Sequence, residues 1–334
     1  MDTNNELTIF DCYARRMAVT AASTAQPHES GLPTVTAVIV SYRSRRTIGA
    51  ALESIRASAE SGLLRPVLVD NDSKDGTADY VRTDFPWVKC IDAGGNLGFG
   101  RGCNLGFEHV ETPYVLFLNP DATLPEEALQ KLLAFMEARP RVGMCAPSIQ
   151  EADGSMQVAG VLPTPGGLIR EALGLRAYPT MREIHAGAEP FQTNWLCGAI
   201  LLARSDVFRA VGGFDPRFFL YFEETDLCRN IMNEGFELWA VGAARAEHEC
   251  GASTRQLGAS MAEQCISEHF YQSRFYYLSK HHGRLSATLA ELGAIPLLGL
   301  RTLLKRALGR GADGSLKQRL GGPLLQYPER VELP

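Results

Sequence analysis

Residues 114–121 place a carboxylate directly after a short run of apolar residues. The run 114–118 is too short for a typical helix and is rich in residues that favour a buried strand. Asn119 and Pro120 end this strand, because proline has no N–H to donate to a strand ladder. Ligands of open α/β sheets bind at the carboxyl ends of strands, and carboxylate oxygens suit Mg²⁺ or Mn²⁺. Asp121 is therefore a candidate ligand for a metal ion carrying a diphosphate, with a turn aspartate as the alternative.

Two strand ends upstream also carry polar residues. Ser41 and Tyr42 follow the first apolar run, where backbone and side chains can cradle a nucleobase. Asp70 and Asp72 follow the second run. Asp70 could accept a hydrogen bond from a pyrimidine N3–H, and Asp72 could face a ribose hydroxyl. The alternative is a helix cap and turn, which Asp, Asn and Ser commonly form.

A glycine-rich stretch over residues 94–102 precedes a predicted helix. Glycine backbone at such a place can approach an anionic or sugar ligand closely. The stretch lacks the G-K-[ST] ending of a phosphate-binding loop and the spacing of a dinucleotide fingerprint. The stretch therefore predicts a loop that contacts a ligand, but it does not identify which ligand.

Glu223, Glu224 and Asp226 follow an aromatic run in the second half of the chain. Apolar neighbours can raise the pKa of a carboxylate, which suits a general base. The alternative is an acidic first turn that complements the helix dipole. His248, between two glutamates after a strand, is either a metal ligand or an ordinary histidine.

Strand and helix patterns alternate from residue 34, which predicts crossover connections and a mainly parallel sheet. The predicted strands of this part are 35–40, 66–69, 88–91 and 114–118, and the predicted helices are 47–59, 77–83, 104–110 and 125–139. After residue 143 the alternation loosens. There the pattern predicts strands over 194–202 and 236–241 and helices over 205–211 and 265–280.

The composition is that of an ordinary globular protein. A net charge of −5 gives no indication of nucleic-acid binding. The eight cysteines are dispersed, with no C-x-x-C pair, which is typical of a reducing cytoplasm. No apolar signal segment and no membrane-spanning run is expected.

Taken together and in order, these motifs resemble those of the family 2 glycosyltransferases with the GT-A fold. Within that family the resemblance is to the rhamnosyltransferase-like and galactofuranosyltransferase-like members that build bacterial cell-surface glycans. It covers about residues 34–253. The matching motifs are Val40-Ser-Tyr42, Val69-Asp-Asn-Asp-Ser-Lys-Asp-Gly76, Asn96-Leu-Gly-Phe, Leu118-Asn-Pro-Asp121, Trp195-Leu-Cys-Gly-Ala199, Gly213-Phe-Asp215, Glu223-Glu-Thr-Asp226 and His248.

The resemblance implies a binding site for a nucleoside diphosphate sugar. The residues it assigns to the donor are Ser41, Tyr42, Asp70, Asp72, Asn96 and Asn119. Asn119 stands where the family usually has the first aspartate of its D-x-D metal motif. Asp121 and His248 would then hold Mg²⁺ or Mn²⁺.

The resemblance also implies a single inverting displacement. Glu224 occupies the position of the catalytic base, which is usually an aspartate, and Asp226 would bind or orient the acceptor. The other residues implied on the acceptor side are Trp195, Cys197, Gly198 and Glu223. The expected donor is dTDP-L-rhamnose, and the expected acceptor is a cell-surface glycan or a lipid-linked sugar. The alternatives are another UDP or dTDP sugar (galactofuranose, GlcNAc or glucose), an inactive binding homologue, and, less well supported, a nucleotidyltransferase.

The expected organisation is an N-terminal extension over 1–33, a catalytic domain over 34–255 and a helical C-terminal extension over 256–334. The catalytic domain would comprise a donor half over 34–143 and an acceptor half over 144–255. Residues 284–310 mix leucines with basic residues, which predicts peripheral contact with the inner face of the cytoplasmic membrane. The alternative is packing on the catalytic domain or on a second subunit of a homodimer.

Overall fold

The computed structural model describes residues 34–175, 181–249, 259–308 and 315–328. The segment 1–33, interpreted as an N-terminal extension, lies outside these residues. Residues Pro33–Pro334 form one compact unit. The division of this unit into a catalytic domain and a C-terminal extension at residue 255 stays a prediction.

Four parallel strands form one half of the main sheet, in the order β3-β2-β1-β4. The strands are β1 (Val35–Ser41), β2 (Leu64–Asp70), β3 (Lys89–Asp92) and β4 (Tyr114–Leu118). The helices between them are α1 (Ile48–Ser54), α2 (Arg56–Glu60), α3 (Thr77–Asp84) and α4 (Phe99–Phe107). The predicted alternation is confirmed, and parallel pairing sets Ser41 opposite Asp70 at the carboxyl ends of β1 and β2.

The sheet continues as β10-β6-β11-β5, with β10 antiparallel to β4 and to β6, so the sheet is mixed. Its strands are β5 (Ala122–Thr123), β6 (Val142–Glu151), β9 (Phe191–Thr193), β10 (Ile200–Arg204) and β11 (Glu237–His248), while β7 (Val158–Ala159) and β8 (Arg182–Glu183) form a separate pair. The helices of this half are α5 (Glu126–Glu137), α6 (Pro165–Ala172), α7 (Ser205–Ala210) and α8 (Glu223–Asn233). Helix α6 was not predicted.

Both faces of the sheet are covered by apolar side chains. Val35, Ala37 and Ile39 of β1 pack in the cluster that includes α1 and α5. The alternate residues Val38 and Val40 pack in the cluster that includes α4 and α8. Burial on both faces explains why the inner strands β1 and β4 are mainly apolar runs in the sequence, whereas the edge strand β3 is not.

Three helices follow the sheet: α9 (Ala259–His282), α10 (Arg284–Ala307) and α11 (Ser315–Gly321). A third apolar cluster joins α9 and α10 to α6 and to the aromatic residues before α8. Helix α10 is long and apolar enough to cross a membrane, by length and composition alone. The expectation from sequence concerned an uninterrupted apolar run, which α10 does not contain; the helix passes on mean hydropathy over a window with few charged residues.

The helix predicted over 47–59 is divided in the structure into α1 and α2 at Ile55. The hydroxyl of Ser54 donates a hydrogen bond to the carbonyl of Ala51 at 2.7 Å and accepts one from the backbone N–H of Leu124 at 3.0 Å. A serine that bonds back to its own helix competes with regular helical hydrogen bonding. At this break, the hydroxyl of Ser54 links the end of α1 to Leu124, which follows β5.

The helix predicted over 104–110 begins earlier, because α4 starts at Phe99 within the glycine-rich stretch. A Cβ at Gly102 would lie 2.8 Å from the side chain of Val40, and one at Gly106 would overlap Val38. These glycines therefore let α4 pack directly on β1. The interpretation of the whole stretch 94–102 as a loop was wrong for its second part.

The ten-residue strand β6 is not evident in the sequence pattern. Pro147 lies inside it, opposite Val241 and beside a register shift between Val241 and Arg245 of β11. Proline is tolerated in a sheet at such irregularities, since it cannot donate to the ladder. Beyond the shift β11 continues to His248, well past its predicted end at residue 241.

Candidate functional site

The donor edge, defined here by the carboxyl ends of β1 and β2, brings Ser41 and Asp70 together as predicted. The Ser41 hydroxyl donates to Oδ1 of Asp70 at 2.9 Å, and the backbone N–H of Ser73 donates to Oδ2 at 3.1 Å. Both side chains are buried. The carboxylate of Asp70 is thereby fixed in orientation at the sheet edge.

The other two residues predicted at this edge are more accessible. Tyr42 is half-buried directly after β1. Asp72 adopts a left-handed backbone conformation with φ of 63° and forms an ion pair with Lys74. Aspartate is among the few residues that tolerate this conformation in turns. The turn that follows β2 therefore presents a carboxylate to solvent beside the buried Asp70.

Asn96 shapes the glycine-rich turn, because its Oδ1 accepts a hydrogen bond from the backbone N–H of Gly98 at 3.1 Å. Asn71, which sequence reasoning did not single out, donates from Nδ2 to the carbonyl of Gly98 at 2.9 Å. The Oδ1 atom of Asn71 is buried and has no hydrogen-bond partner within the part of the chain that the structure describes. A buried acceptor of this kind is costly unless a ligand or water satisfies it.

The two predicted metal ligands, Asp121 and His248, here called the metal pair, come from two distant parts of the chain. Antiparallel pairing of β5 with β11 sets Ala122 opposite His248, and the backbone N–H of Glu249 donates to the carbonyl of Asp121 at 2.9 Å. Nε2 of His248 lies 3.2 Å from Oδ1 of Asp121. Asn119 reaches the same place, with Nδ2 at 3.5 Å from Nε2 of His248.

Glu151, which was not predicted, holds the opposite side of the imidazole ring. Its Oε2 lies 3.1 Å from Nδ1 of His248, and Nε2 of Gln157 lies 3.3 Å from the same nitrogen. Burial lowers the pKa of His248, but the carboxylates of Asp121 and Glu151 outweigh it and raise the pKa above its ordinary value. A carboxylate on one ring nitrogen is the usual way to orient a histidine whose other nitrogen binds a metal.

The donor set at the metal pair fits Mg²⁺ or Mn²⁺. One carboxylate and one imidazole face each other beside a cavity of about 460 Å³, which Arg46 and Thr47 also line. The described residues contain no group of three or more His, Cys, Asp or Glu that could hold a metal. Such a site suits an ion that takes its remaining ligands from water and substrate phosphates.

A strained turn leads into the acidic cluster. Tyr221 and Phe222 both adopt positive φ, 67° and 69°, immediately before α8 begins at Glu223. Bulky residues rarely adopt this conformation, which costs of order 1–3 kcal/mol each and is concentrated at functional sites. The turn therefore holds Glu223 and Glu224 in the first turn of α8 at an energetic cost.

Glu224 lies on the wall of a second cavity, here called the Glu224 pocket, of about 270 Å³. Its Oε1 accepts hydrogen bonds from Nε1 of Trp195 at 3.2 Å and from the hydroxyl of Thr225 at 2.9 Å. Burial raises the pKa of Glu224 above its ordinary value. Aromatic rings of Trp195, Tyr221 and Phe222 line the same pocket.

Residues 194–199 connect β9 to β10 and carry three of the predicted acceptor residues, Trp195, Cys197 and Gly198. The strand predicted over 194–202 is therefore confirmed only from Ile200 onwards. A Cβ at Gly198 would lie 3.3 Å from the Cβ of Glu224, and Cys197 is half-buried against the core. The next residue, Ala199, accepts a hydrogen bond from the backbone N–H of Asn119 at 2.9 Å. The connector thus links Glu224 to the end of β4, next to the metal pair.

Glu223 faces the glycine-rich side of the site. A Cβ at Gly100 would lie 3.4 Å from that of Glu223, and the buried Oε2 of Glu223 has no hydrogen-bond partner among the described residues. Burial and the neighbouring Glu224 raise the pKa of Glu223 to about 8. Its carboxyl group lies between α4 and α8, where burial favours the protonated form.

The expectation that Asp226 contacts an acceptor does not fit the structure, in which Asp226 is fully buried. Its Oδ2 accepts from Nζ of Lys280 at 2.7 Å, and its Oδ1 lies 2.7 Å from Nε2 of His281. Lys280 also donates to Oδ2 of Asp215 at 2.8 Å. Lys280 and His281 both belong to α9, so Asp226 links α8 to α9.

Comparison with known proteins identifies the family of the chain. The family model "Glycosyl transferase family 2" matches residues 36–198. The N-acetylglucosaminyl-diphospho-decaprenol L-rhamnosyltransferase of Mycobacterium tuberculosis is 30% identical over 258 residues, which cover 70% of this chain and 81% of that protein. Rhamnosyltransferase WbbL of Escherichia coli is 25% identical over 255 residues, covering 73% of this chain and 92% of that protein.

The fold is also that of a solved glycosyltransferase. The structure of mannosyltransferase PcManGT from Pyrobaculum calidifontis in complex with GDP-Man and Mn²⁺ matches with a TM-score of 0.54 at 16% identity, covering 89% of this chain and 82% of that chain. The expected GT-A fold is therefore confirmed. The chain belongs to glycosyl transferase family 2 and is a rhamnosyltransferase-like glycosyltransferase.

Proposed function

We propose that the protein transfers a sugar from a nucleoside diphosphate donor to an acceptor hydroxyl by a single inverting displacement, with Glu224 as the general base. The position of Glu224 carries this proposal. It lines a pocket walled by aromatic rings, and the 194–199 connector links it to the strand end that holds Asp121. Burial raises its pKa towards neutrality, which strengthens a carboxylate as a base.

In the proposed step, Glu224 takes the proton of the acceptor hydroxyl. The acceptor oxygen then forms a bond to the anomeric carbon as the bond from that carbon to the diphosphate oxygen breaks. Attack from the face opposite the leaving group inverts the anomeric configuration. Trp195 and Thr225, which both donate to Oε1, orient the carboxylate for this proton transfer.

Asp121 and His248 are the proposed protein ligands of a divalent cation, Mg²⁺ or Mn²⁺. The close approach of Oδ1 and Nε2 and the fixation of Nδ1 by Glu151 support this assignment. A bound ion would neutralise negative charge that develops on the leaving diphosphate. The match to a solved structure that contains Mn²⁺ is consistent with this role.

Ser41, Tyr42, Asp70 and Asp72 are proposed to contact the nucleoside, while Asn96 and Asn119 are proposed to lie against the sugar diphosphate. The buried, unsatisfied Oδ1 of Asn71 adds a further candidate contact. The preferred donor is dTDP-L-rhamnose, because the Asn-Pro-Asp motif resembles rhamnosyltransferases and the named relatives are rhamnosyltransferases. Other UDP and dTDP sugars are the alternatives.

The proposed acceptor is a lipid-linked sugar, as the name of the Mycobacterium tuberculosis relative indicates for that enzyme. Trp195, Tyr221 and Phe222 offer flat apolar faces on which a sugar ring can pack, and the Trp195 side chain borders the base directly. Cys197, Gly198 and Glu223 adjoin this arrangement from the connector and from α8.

Helix α10 is the proposed contact with the inner face of the cytoplasmic membrane. Its exposed leucines are Leu285, Leu289, Leu292, Leu300, Leu303, Leu304 and Leu308. The opposite side is covered by protein through buried Ala287, Ala290, Glu291 and Ala294. A helix with one packed face and one exposed apolar face suits the membrane surface better than a span. A second copy of the chain on this face is the alternative.

A transfer assay tests the proposed function. The purified protein is incubated with Mn²⁺, a lipid-linked GlcNAc acceptor and either dTDP-L-rhamnose or the UDP sugars of galactofuranose, GlcNAc and glucose. We expect release of nucleoside diphosphate and a product of inverted anomeric configuration with one donor. Absence of product with every donor, despite nucleotide binding, would support the alternative of an inactive sugar-nucleotide-binding homologue.

A further inference from the structure

Three arginines lie in the loop that directly follows β1, here called the β1 loop (residues 42–47): Arg43, Arg45 and Arg46. Among the described residues, none of their guanidinium groups forms an ion pair with a carboxylate. The loop leaves the sheet at the carboxyl ends of the parallel strands, where ligands of α/β sheets bind. Cations without a carboxylate partner at this place indicate a binding site for an anion.

Two of the three arginines are engaged with aromatic rings. The guanidinium carbon of Arg45 lies 3.5 Å from the centre of the Tyr80 ring, and that of Arg43 lies 5.3 Å from the centre of the Tyr42 ring. Contacts of this kind stabilise a cation without an anion. Within the described part of the chain, Arg46 has neither a ring contact nor a hydrogen bond. It is exposed and lines the cavity of about 460 Å³ beside the metal pair, here called the metal cavity.

The backbone of the β1 loop is held in place by hydrogen bonds. The backbone N–H of Arg43 donates to the hydroxyl of Ser73 at 2.9 Å, and that of Arg45 donates to Oδ2 of Asp75 at 3.1 Å. Both acceptors belong to the turn that follows β2. Only the side chain of Arg46 therefore has to be ordered when a ligand binds, which lowers the entropic cost of binding.

The order of the strands places the β1 loop between the donor edge and the metal pair. Strand β1 lies between β2 and β4, and parallel pairing sets Val38 opposite Phe117, so the ends of β1 and β4 lie side by side. Asp70 ends β2, and Asp121 lies just after β4. Neighbouring strands are about 4.8 Å apart, so a ligand held at both aspartates spans roughly 10 Å and passes the end of β1. The β1 loop is therefore the place that the diphosphate of such a ligand would reach.

The charges of the metal cavity leave a role for one more cation. Asp121, Glu151, Glu247 and Glu249 line it, and Arg46 is the only arginine or lysine among the described residues that do so. Coulomb repulsion from the carboxylates opposes the entry of a diphosphate, and a divalent ion and a guanidinium both offset this repulsion. A guanidinium also forms charge-assisted, bidentate hydrogen bonds with phosphate oxygens.

We infer that Arg46 binds the diphosphate of the donor beside the divalent ion and stabilises the leaving group as a second cation. This inference deepens the proposed function and rests on it for the positions of the nucleoside and of the metal ion. Its own content is that an arginine of the β1 loop, and not the metal pair alone, gives the site its affinity for a diphosphate.

Titration calorimetry of dTDP in the presence of Mn²⁺ tests this role. Arg46→Gln should raise the Kd of dTDP about tenfold, the loss expected for one charge-assisted hydrogen bond. Arg46→Lys keeps the charge but not the bidentate geometry, so it should recover part of the loss. Arg45→Gln is the matched control, because it removes the same charge from the same loop at a side chain that packs on Tyr80. Its Kd should equal that of the parent protein.

Two further titrations separate a phosphate contact from general damage to the site. Thymidine, which has no phosphate, should bind Arg46→Gln and the parent protein equally. Mn²⁺ without nucleotide should bind Arg46→Gln at least as tightly as the parent, because a neighbouring positive charge is removed. Weaker binding of thymidine or of Mn²⁺ alone overturns the role of Arg46, as does an unchanged Kd for dTDP or an equal loss in Arg45→Gln.

The titrations measure binding and not transfer. Arg46-dependent binding of dTDP by a protein that transfers no sugar would therefore refute the proposed function and leave the role of Arg46 standing. Sugar transfer by a protein whose Kd for dTDP does not depend on Arg46 would have the opposite meaning.

Discussion

Nε2 of His248, the last residue of β11, lies 3.2 Å from Oδ1 of Asp121, which directly precedes β5 and is far from His248 in sequence. The contact exists because β11 extends past its bulge and pairs with β5. Glu151, at the end of the neighbouring strand β6, contacts the other ring nitrogen at 3.1 Å. The ends of β11 and β6 thus orient the imidazole of His248 towards the carboxylate of Asp121.

Glu151→Gln should weaken Mn²⁺ binding by about 10–100-fold, the effect typical of losing a carboxylate that orients a metal-binding histidine. Glu247→Gln is the matched control, because Glu247 lines the same cavity and carries the same charge. Titration of Mn²⁺ followed by electron paramagnetic resonance measures both variants. If both substitutions weakened Mn²⁺ binding equally, the negative charge near the cavity would matter and the contact between Glu151 and His248 would not.

Glu223→Gln should stabilise the protein more at pH 8 than at pH 5. The pKa of Glu223 is about 8 in the folded protein, against 4.5 as the ordinary value. A raised carboxyl pKa means that the folded state binds the proton more tightly, so stability falls as pH rises between these two values. The loss is at most about 1.4 kcal/mol per pH unit, and glutamine avoids it.

Thermal unfolding at the two pH values, with the parent protein measured alongside, tests this dependence. The difference in Tm between Glu223→Gln and the parent should grow from pH 5 to pH 8. A difference that is constant across this range would show that Glu223 is ionised at an ordinary pKa.

Gly98→Ala should destabilise the protein and disturb the donor side of the site. Gly98 has φ of 81°, and a Cβ there would overlap the backbone carbonyl of Phe219 in the aromatic run before α8. We expect a loss of at least about 1 kcal/mol, since a side chain in this conformation is strained even without the overlap. Gly95→Ala is the control, because its backbone is ordinary and a Cβ would meet nothing within 4 Å.

Urea unfolding of the Gly98 and Gly95 variants gives the comparison. Similar midpoints for both would show that the turn before α8 does not depend on close approach at Gly98.

The paired substitution Leu303→Gln and Leu304→Gln should reduce recovery with anionic liposomes in a flotation assay. These side chains are 63% and 54% exposed on α10, and their apolar surface is the proposed membrane contact. The control pair is Leu173→Gln and Leu175→Gln, which are similarly exposed at 49% and 52% but lie after α6. Equal recovery of the two double variants would favour a second protein copy on α10.

Most of the parallel half of the sheet is predictable from sequence, because β1, β2 and β4 are almost wholly buried and therefore appear as apolar runs. Strand β6 is not, since Pro147 interrupts the pattern at a bulge that only the pairing with β11 explains. Exposed and buried residues alternate in the second part of β11, from Ala243 to His248. The first part of the strand is buried or half-buried throughout. A search of the sequence for one burial pattern therefore misses the true end of β11.

The residues of the candidate site also divide into those whose placement is predictable from sequence and those whose placement is not. Ser41 and Asp70 follow predictable strands, so their meeting is expected from parallel pairing alone. The burial of Asp226 is not predictable, because Lys280 and His281 come from a helix whose docking the local sequence does not indicate. Glu151 was missed for a related reason, since its strand was not recognised.

The turnover of Glu224→Gln tests the central claim most directly. With the natural donor and a lipid-linked acceptor, the rate constant for transfer should fall about 10²–10⁴-fold, because an amide cannot accept the acceptor proton. Donor binding should be retained, and Glu234→Gln, an exposed residue at the end of the same helix, should transfer at the parent rate. Full activity in Glu224→Gln would contradict the assignment of Glu224 as the base.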